Sequence, residues 1–211
     1  MAIRAVLFDF GGVLSASPFE AFAHYESAHG LPDGFIRDLN ATNPDTNAWA
    51  RHERNEVTFD EFCALFEAEA RAAGGELRAA DVMVMLAGDV RPQMIEAVRR
   101  CHQRLKTALL TNNVVNGVGD GTSDAERVFR DVSALFDVVI ESSKTGVRKP
   151  DPRFYEMACA ELGIEPSEAV FLDDLGVNLK PAREMGMTTI RVDDPDAAIT
   201  ELETVVGFPL R

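Results

Sequence analysis

Four places in this chain of 211 residues carry side chains that could do chemistry together. Asp9 follows an apolar run, Ala5 to Phe8, and is followed closely by Gly11-Gly12. A carboxylate leaving a buried strand into a two-glycine turn projects from the backbone, with main-chain N–H groups able to approach an anion. Such a group can act as a nucleophile. Asp173-Asp174 closes a second apolar run, Ala169 to Leu172. Adjacent carboxylates repel unless a cation neutralises them, and hard oxygen ligands of this kind suit magnesium. Thr111 ends a third run, 107–111, where its hydroxyl can donate to a phosphoryl oxygen, and Lys149 can bring positive charge. Singly, each has a plain alternative: a turn former, a solvated acidic turn, a structural threonine, a loop charge. Together, nucleophile, hydroxyl donor, cation and acidic pair each stand at the carboxyl end of a separate segment.

The elements that must position them follow from periodicity. Short apolar runs at 4–8, 107–111, 136–140, 169–172 and 188–192 read as buried strands. Helical patterning fills the gaps from Arg91-Pro92 to about residue 104, from Ser123 onward, and from Asp151 to about Leu162. The glycine-rich stretch 114–122 reads as a loop. From Pro18 to about Leu86 the pattern is helical throughout, with Thr58-Phe59-Asp60-Glu61 spaced as a capping box. Strands alternating with helices predict an α/β fold: a doubly wound, Rossmann-like parallel sheet whose ligands collect beyond the strand carboxyl ends. The predicted organisation is a core of residues 1–15 and 87–211 interrupted by an all-helical cap, 16–86.

Four motifs lie on this plan. Phe8-Asp9-Phe10-Gly11-Gly12-Val13-Leu14, Leu110-Thr111-Asn112-Asn113, Gly146-Val147-Arg148-Lys149-Pro150-Asp151-Pro152 and Phe171-Leu172-Asp173-Asp174-Leu175-Gly176-Val177-Asn178 resemble those of the haloacid dehalogenase-like hydrolase superfamily. The stretch from Val170 to Met187 is similar to the N-terminal phosphatase domain of soluble epoxide hydrolases and their bacterial single-domain relatives. The insert resembles the superfamily's four-helix (C1) cap chiefly by position and length.

The resemblance implies a magnesium-dependent phosphohydrolase acting on a small phosphorylated metabolite through a phospho-aspartyl intermediate on Asp9. It implies that Mg2+ is ligated by Asp9, the backbone carbonyl of Gly11 and Asp174, with Asp173 and Asn178 in support. Thr111 and Lys149 would act beside Asp9, and Gly12, Asn112 and Asn113 would hold the phosphoryl group.

One position departs from the pattern. Most phosphatases of the superfamily carry an Asp two residues after the nucleophile, which protonates the leaving alkoxide and later activates water; here that residue is Gly11. General acid/base catalysis supplies about 10²–10⁴-fold. His24, His52 or Glu56 of the cap could substitute, the leaving group could need no protonation, as in an acyl phosphate or sugar 1-phosphate, or catalysis could be vestigial. Arg37, Arg51 and Arg54 are further cap candidates for contacting an anionic substrate. Two rival readings stand beside the phosphohydrolase. A haloacid dehalogenase-type C–halogen hydrolase would need no metal and would gain nothing from Asp173-Asp174. A non-catalytic phospho-ligand-binding protein would keep the metal site without turnover.

Composition narrows the partners. With 35 acidic against 21 basic residues, a formal charge of -14 and a pI near 4.7, the field repels polyanions, which argues against nucleic acid and anionic membranes. No uncharged run approaches the about 18 residues that cross a bilayer, and Asp9 interrupts the N-terminal apolar stretch before it resembles a signal-peptide core. Cys63, Cys101 and Cys159 lack metal or redox spacing and read as buried thiols, so the expected setting is a reducing, cytoplasmic one. Oligomeric state and substrate identity are not legible at this level.

Overall fold

The computed structural model describes residues 2–86, 89–114 and 124–211; the predicted loop beyond residue 114 and the Ser123 helix start lie outside them. Five strands run parallel in the order β3-β2-β1-β4-β5: β1 Ala5–Phe8, β2 Lys106–Thr111, β3 Val138–Glu141, β4 Ala169–Asp173 and β5 Thr188–Arg191.

Between β1 and β2 the chain forms α1 Pro18–His29, α2 Phe35–Ala41, α3 Ala48–Glu53, α4 Phe59–Ala72, α5 Ala79–Met85 and α6 Pro92–His102. The remaining helices are α7 Asp124–Ser133, α8 Ser142–Thr145, α9 Pro152–Leu162, α10 Gly176–Glu184 and α11 Pro195–Val206. All-parallel strands are stable only when both faces are covered, and β1 shows why its residues are apolar throughout. Val6 and Phe8 pack with Val98, Leu109 and Ile199 on one face, and Ala5 and Leu7 with Phe154, Phe171 and Leu179 on the other.

Helices α1 to α5 form the inserted cap around an apolar centre of their own, built from Phe22, Tyr25, Ile36, Phe62, Phe66 and neighbours. Trp49 meets Phe22, Phe62 and Phe66 edge-on at 5.7, 5.6 and 5.5 Å. The capping box expected at the start of α4 is present, with Thr58 and Glu61 satisfying each other's backbone N–H. The cap has five helical segments, of which α2, α3 and α5 are only 7, 6 and 7 residues long.

Two further expectations shift. Strand β3 begins at Val138, because Phe136 packs into the core edge-on to Phe8 at 6.0 Å and the Asp137 carboxylate accepts from the N–H of Thr107 at 2.8 Å. Cys101 and Cys159 are buried as expected, but Cys63 on α4 is partly exposed. Among the described residues no helix is long and apolar enough to cross a membrane.

Register brings the chemistry together. Phe8 pairs with Leu109 on one side and Leu172 on the other, so Asp9 and Asp173 emerge level on adjacent strands, and Thr111 emerges one step beyond. The segments entering and leaving the cap also run side by side. Ser15 and Val90 form an antiparallel bridge, flanked by bonds from the N–H of Ala16 to the carbonyl of Asp89 (3.0 Å) and from the N–H of Arg91 to the carbonyl of Leu14 (2.7 Å).

Candidate active site

Oδ1 of Asp9 accepts from the N–H of Phe10 at 2.6 Å and lies 2.8 Å from Nζ of Lys149. The same ammonium donates to Oδ2 of Asp173 at 2.8 Å. Lys149 is 1% exposed and Asp173 is fully buried. An ammonium this deep persists only with anionic partners. Asn112 fixes the lysine through its backbone, accepting from its N–H at 2.8 Å and donating to its carbonyl at 3.0 Å. Asp173 also accepts from Nδ2 of Asn178 at 3.0 and 3.1 Å and from the N–H of Leu175 at 2.8 Å, so each of its oxygens takes two hydrogen bonds.

Asp174 is placed differently. Among the described residues no side chain donates to its carboxylate, which lies against the turn that follows β1. A Cβ at Gly12 would meet Oδ2 of Asp174, and Gly12 has φ +75°, so glycine is required there twice over. Nη1 of Arg91 donates to the Gly12 carbonyl at 2.7 Å and holds that turn. One ligand atom from each of Asp9, Asp173 and Asp174 lies within 4.8 Å of the others.

Three carboxylates thus gather here, two of them on one ammonium. Burial pushes Asp9 well above the usual carboxylate range; Lys149 pulls it back, and Asp173 and Asp174 raise it further. Burial, then Asp173, pushes Asp174 up to about 6. For Lys149 burial favours the neutral amine, but Asp173 and Asp9 outweigh it and leave its pKa raised. The surplus negative charge and the hard oxygen donors fit a small divalent cation.

Thr111 is buried at the tip of β2. Asn113 is turned toward β3: its N–H donates to Oγ of Ser142 at 3.0 Å, its Nδ2 to Oε2 of Glu141 at 2.6 Å, and its Oδ1 accepts from Oγ of Ser143 at 2.8 Å. The side chains of Asn112 and Asn113 are therefore taken up in fixing loops. At Gly11 a Cβ would meet only Pro18, at 3.4 and 3.6 Å.

Of the candidate cap acids, His24 is exposed on α1, and Glu56 is exposed and bound to Arg54 at 2.6 and 3.0 Å. His52 is buried, with its ring stacked on Phe62 at 4.4 Å, and burial lowers its pKa. Arg37 lies over the Phe19 ring at 5.1 Å. Arg51 is half-buried on α3. Sequence reasoning missed Glu53, which ion-pairs with Arg148 at 2.6 Å, and the grip of Arg91 on Gly12. A glutamate near a helix end carries no signal that it is buried; Arg148 beside the motif lysine was the one available hint.

The family model for haloacid dehalogenase-like hydrolases matches residues 3–186. The chain belongs to the haloacid dehalogenase-like hydrolases. This hydrolase is 36% identical to acyl-CoA dehydrogenase family member 10 of Mus musculus over 98% of its own length and 19% of that protein's. It is 33% identical to bifunctional epoxide hydrolase 2 of Sus scrofa, over 100% of its own length and 40% of the other's. The chain therefore spans less than half of either protein. Phosphatase MT3486 of Mycobacterium tuberculosis (strain CDC 1551 / Oshkosh) is 30% identical over 92% of this chain and 88% of that one. Two solved structures share the fold. A predicted HAD-like family hydrolase from Porphyromonas gingivalis has a TM-score of 0.67 and 22% identity, covering 96% of this chain and 98% of that chain. A HAD family enzyme from Bacteroides thetaiotaomicron, in complex with magnesium and inorganic phosphate, has a TM-score of 0.60 and 17% identity over 90% and 94%.

Proposed function

We propose that this haloacid dehalogenase-like hydrolase is a magnesium-dependent phosphohydrolase that acts on a small phosphorylated metabolite through a phospho-aspartyl intermediate on Asp9. The observation that carries the reading is the cluster of Asp9, Asp173 and Asp174 with Lys149 2.8 Å from both Asp9 and Asp173. The phosphatase named among the relatives, and the magnesium and phosphate held by the Bacteroides enzyme of the same fold, support it.

Asp9, Asp174 and the carbonyl of Gly11 would hold Mg2+, because Asp173 is already saturated by Lys149, Asn178 and Leu175. Bound there, the ion would offset the surplus carboxylate charge and polarise a phosphoryl oxygen. A carboxylate oxygen of Asp9 attacks phosphorus, with Phe10 and Lys149 holding Oδ1. A bond forms from Asp9 to phosphorus as the bond to the leaving oxygen breaks, and the electron pair departs with the leaving group. Lys149 and the hydroxyl of Thr111 stabilise the transferring phosphoryl oxygens, with the main chain at Gly12, Asn112 and Asn113. Water then attacks the phosphorus, releasing phosphate and restoring the Asp9 carboxylate. Asp173 and Asn178 keep the ammonium in place.

Gly11 offers no side chain to protonate the leaving oxygen. His24 and Glu56 are exposed, and burial holds His52 neutral. The favoured substrates are those whose leaving group departs readily as an anion, acyl phosphates and sugar 1-phosphates among them. We place the core at residues 1–15 and 87–211, the cap at 16–86, and the protein in the cytoplasm. The test is phosphate release from a panel of phosphate esters and acyl phosphates with magnesium, beside Asp9→Asn. Metal-dependent release that disappears in Asp9→Asn is expected; equal rates in the variant would remove Asp9 as the nucleophile.

A further inference from the structure

The proposed chemistry makes no use of Glu53, a carboxylate only 7% exposed at the last residue of α3. A helix C-terminus carries partial negative charge, so an acid there is at the unfavourable end, and burial adds the cost of desolvation. Burial pushes its carboxyl above the ordinary range, while Arg148, the Trp49 hydrogen bond and the field of Lys149 pull it back.

Its partners span cap and core. Nε1 of Trp49 donates to Oε1 of Glu53 at 3.1 Å, and Nε of Arg148 lies 2.6 Å from Oε2. Nη1 of Arg148 donates to the carbonyl of Pro44 at 2.8 Å, so the cap grips this core guanidinium at two points. Helix α3 is itself well seated. Asn47 caps it by accepting from the N–H of Ala50 at 2.8 Å, Oε1 of Glu69 accepts from the N–H of Ala48 at 2.8 Å, and Trp49 packs in the aromatic centre. One peptide beyond Arg148 stands Lys149, pinned at its backbone by Asn112 and at its ammonium by Asp9 and Asp173. An unbroken line of contacts thus joins the middle of the cap to the lysine beside Asp9.

We infer that Glu53 is a positioning residue: by holding Arg148 it seats the loop that carries Lys149, so that docking of the cap and placement of the ammonium are one event. The effect on rate rests on the phosphohydrolase reading; the effect on the loop does not.

Hydrogen–deuterium exchange on the full chain tests the loop directly. The Lys149 N–H is protected by Asn112, and loss of a buried charged contact raises local opening, so Glu53→Gln and Glu53→Ala speed exchange at 146–151 by about tenfold. Exchange in β1 and β4 stays as in the unsubstituted protein. Arg148→Ala, which also loses the Pro44 contact, has at least that effect, and the double variant adds nothing to it, the mark of a shared interaction. In turnover, kcat falls about tenfold with KM within about twofold, since the substituted group acts through Lys149. Unchanged exchange at 146–151 in a folded Glu53 variant overturns the inference, as do additive effects in the double variant or faster exchange spread evenly over the whole cap. Should Glu53→Ala not fold, the nearly isosteric Glu53→Gln decides between these outcomes. If the unsubstituted protein releases no phosphate, the exchange result still decides.

Discussion

Gly12 lies so close beneath Asp174 that a methyl group at position 12 would stand 2.2 Å from its Oδ2. The turn after β1 and the tip of β4 are thus fitted to each other, and the missing side chain of one places the carboxylate of the other. Gly12→Ala should displace Asp174 and, at φ +75°, add about 1–2 kcal/mol of backbone strain. Calorimetric titration should show magnesium affinity weakened by about 10–100-fold, as when other supports of a metal ligand are lost. Affinity equal to that of the unsubstituted protein would mean that Asp174 is not a ligand.

Magnesium should also stabilise the fold. At a hundredfold excess over Kd, binding to the folded state contributes about 2.7 kcal/mol, readable as a rise in Tm that chelator reverses and Asp174→Asn abolishes. Because Asp174 is pushed up to about 6, its carboxylate is charged at neutral pH and increasingly protonated below that value. The magnesium increment should therefore shrink as pH falls through about 6.

Lys149 neutralises two acids at once. Lys149→Met keeps much of the aliphatic stem but leaves Asp9 and Asp173 buried without their cation, at a cost of about 3–5 kcal/mol. Denaturant unfolding measures the loss, and phosphate release should vanish with it. A variant as stable as its parent would show that the carboxylates protonate at little cost.

The ordinary contact distance at Gly11 permits a gain-of-function test. A Cβ there meets Pro18 at 3.4 and 3.6 Å, so Gly11→Asp should fold, and the new carboxyl should speed release from alkyl phosphates by about 10²-fold while leaving acyl phosphates nearly unchanged. An identical gain on both substrate classes would mean that leaving-group protonation is not what the residue supplies.

His52 predicts a pH dependence remote from the carboxylates. Burial lowers its pKa below the ordinary 6.5, so in acid the unfolded chain takes up a proton that the folded one does not. Its contribution to stability is complete above 6.5 and is lost as pH falls from there toward the folded value. His52→Phe, which can keep the stack on Phe62, should flatten this part of the Tm profile between about pH 7.5 and the onset of general acid unfolding. A slope unchanged by the substitution would assign the acid sensitivity to other groups.

Much of the site was legible because strand ends are local signals. Asp9, Thr111 and Asp173 each close an apolar run, and a parallel sheet in register brings such ends to one edge without long-range information. The position of Lys149 followed from its motif, but its insertion between two carboxylates depends on Asn112, whose side chain reads as a ligand contact until its partner is known. Asn113 was opaque for the same reason, its choice of Glu141 and Ser143 being set by how β3 runs into α8. Glu53 and Arg148 meet across the cap–core contact, a pairing that no periodicity in either segment encodes. Apolar character alone puts Phe136 in a strand, and packing against Phe8 claims it for the core.

The adjacent crossing points at Ser15 and Val90 have an evolutionary corollary. A segment whose two ends lie next to each other can be lengthened, shortened or exchanged without stretching the sheet on which it sits. Selection can thus redraw the insert in one stretch of gene while the sheet edge, encoded on either side, is inherited intact.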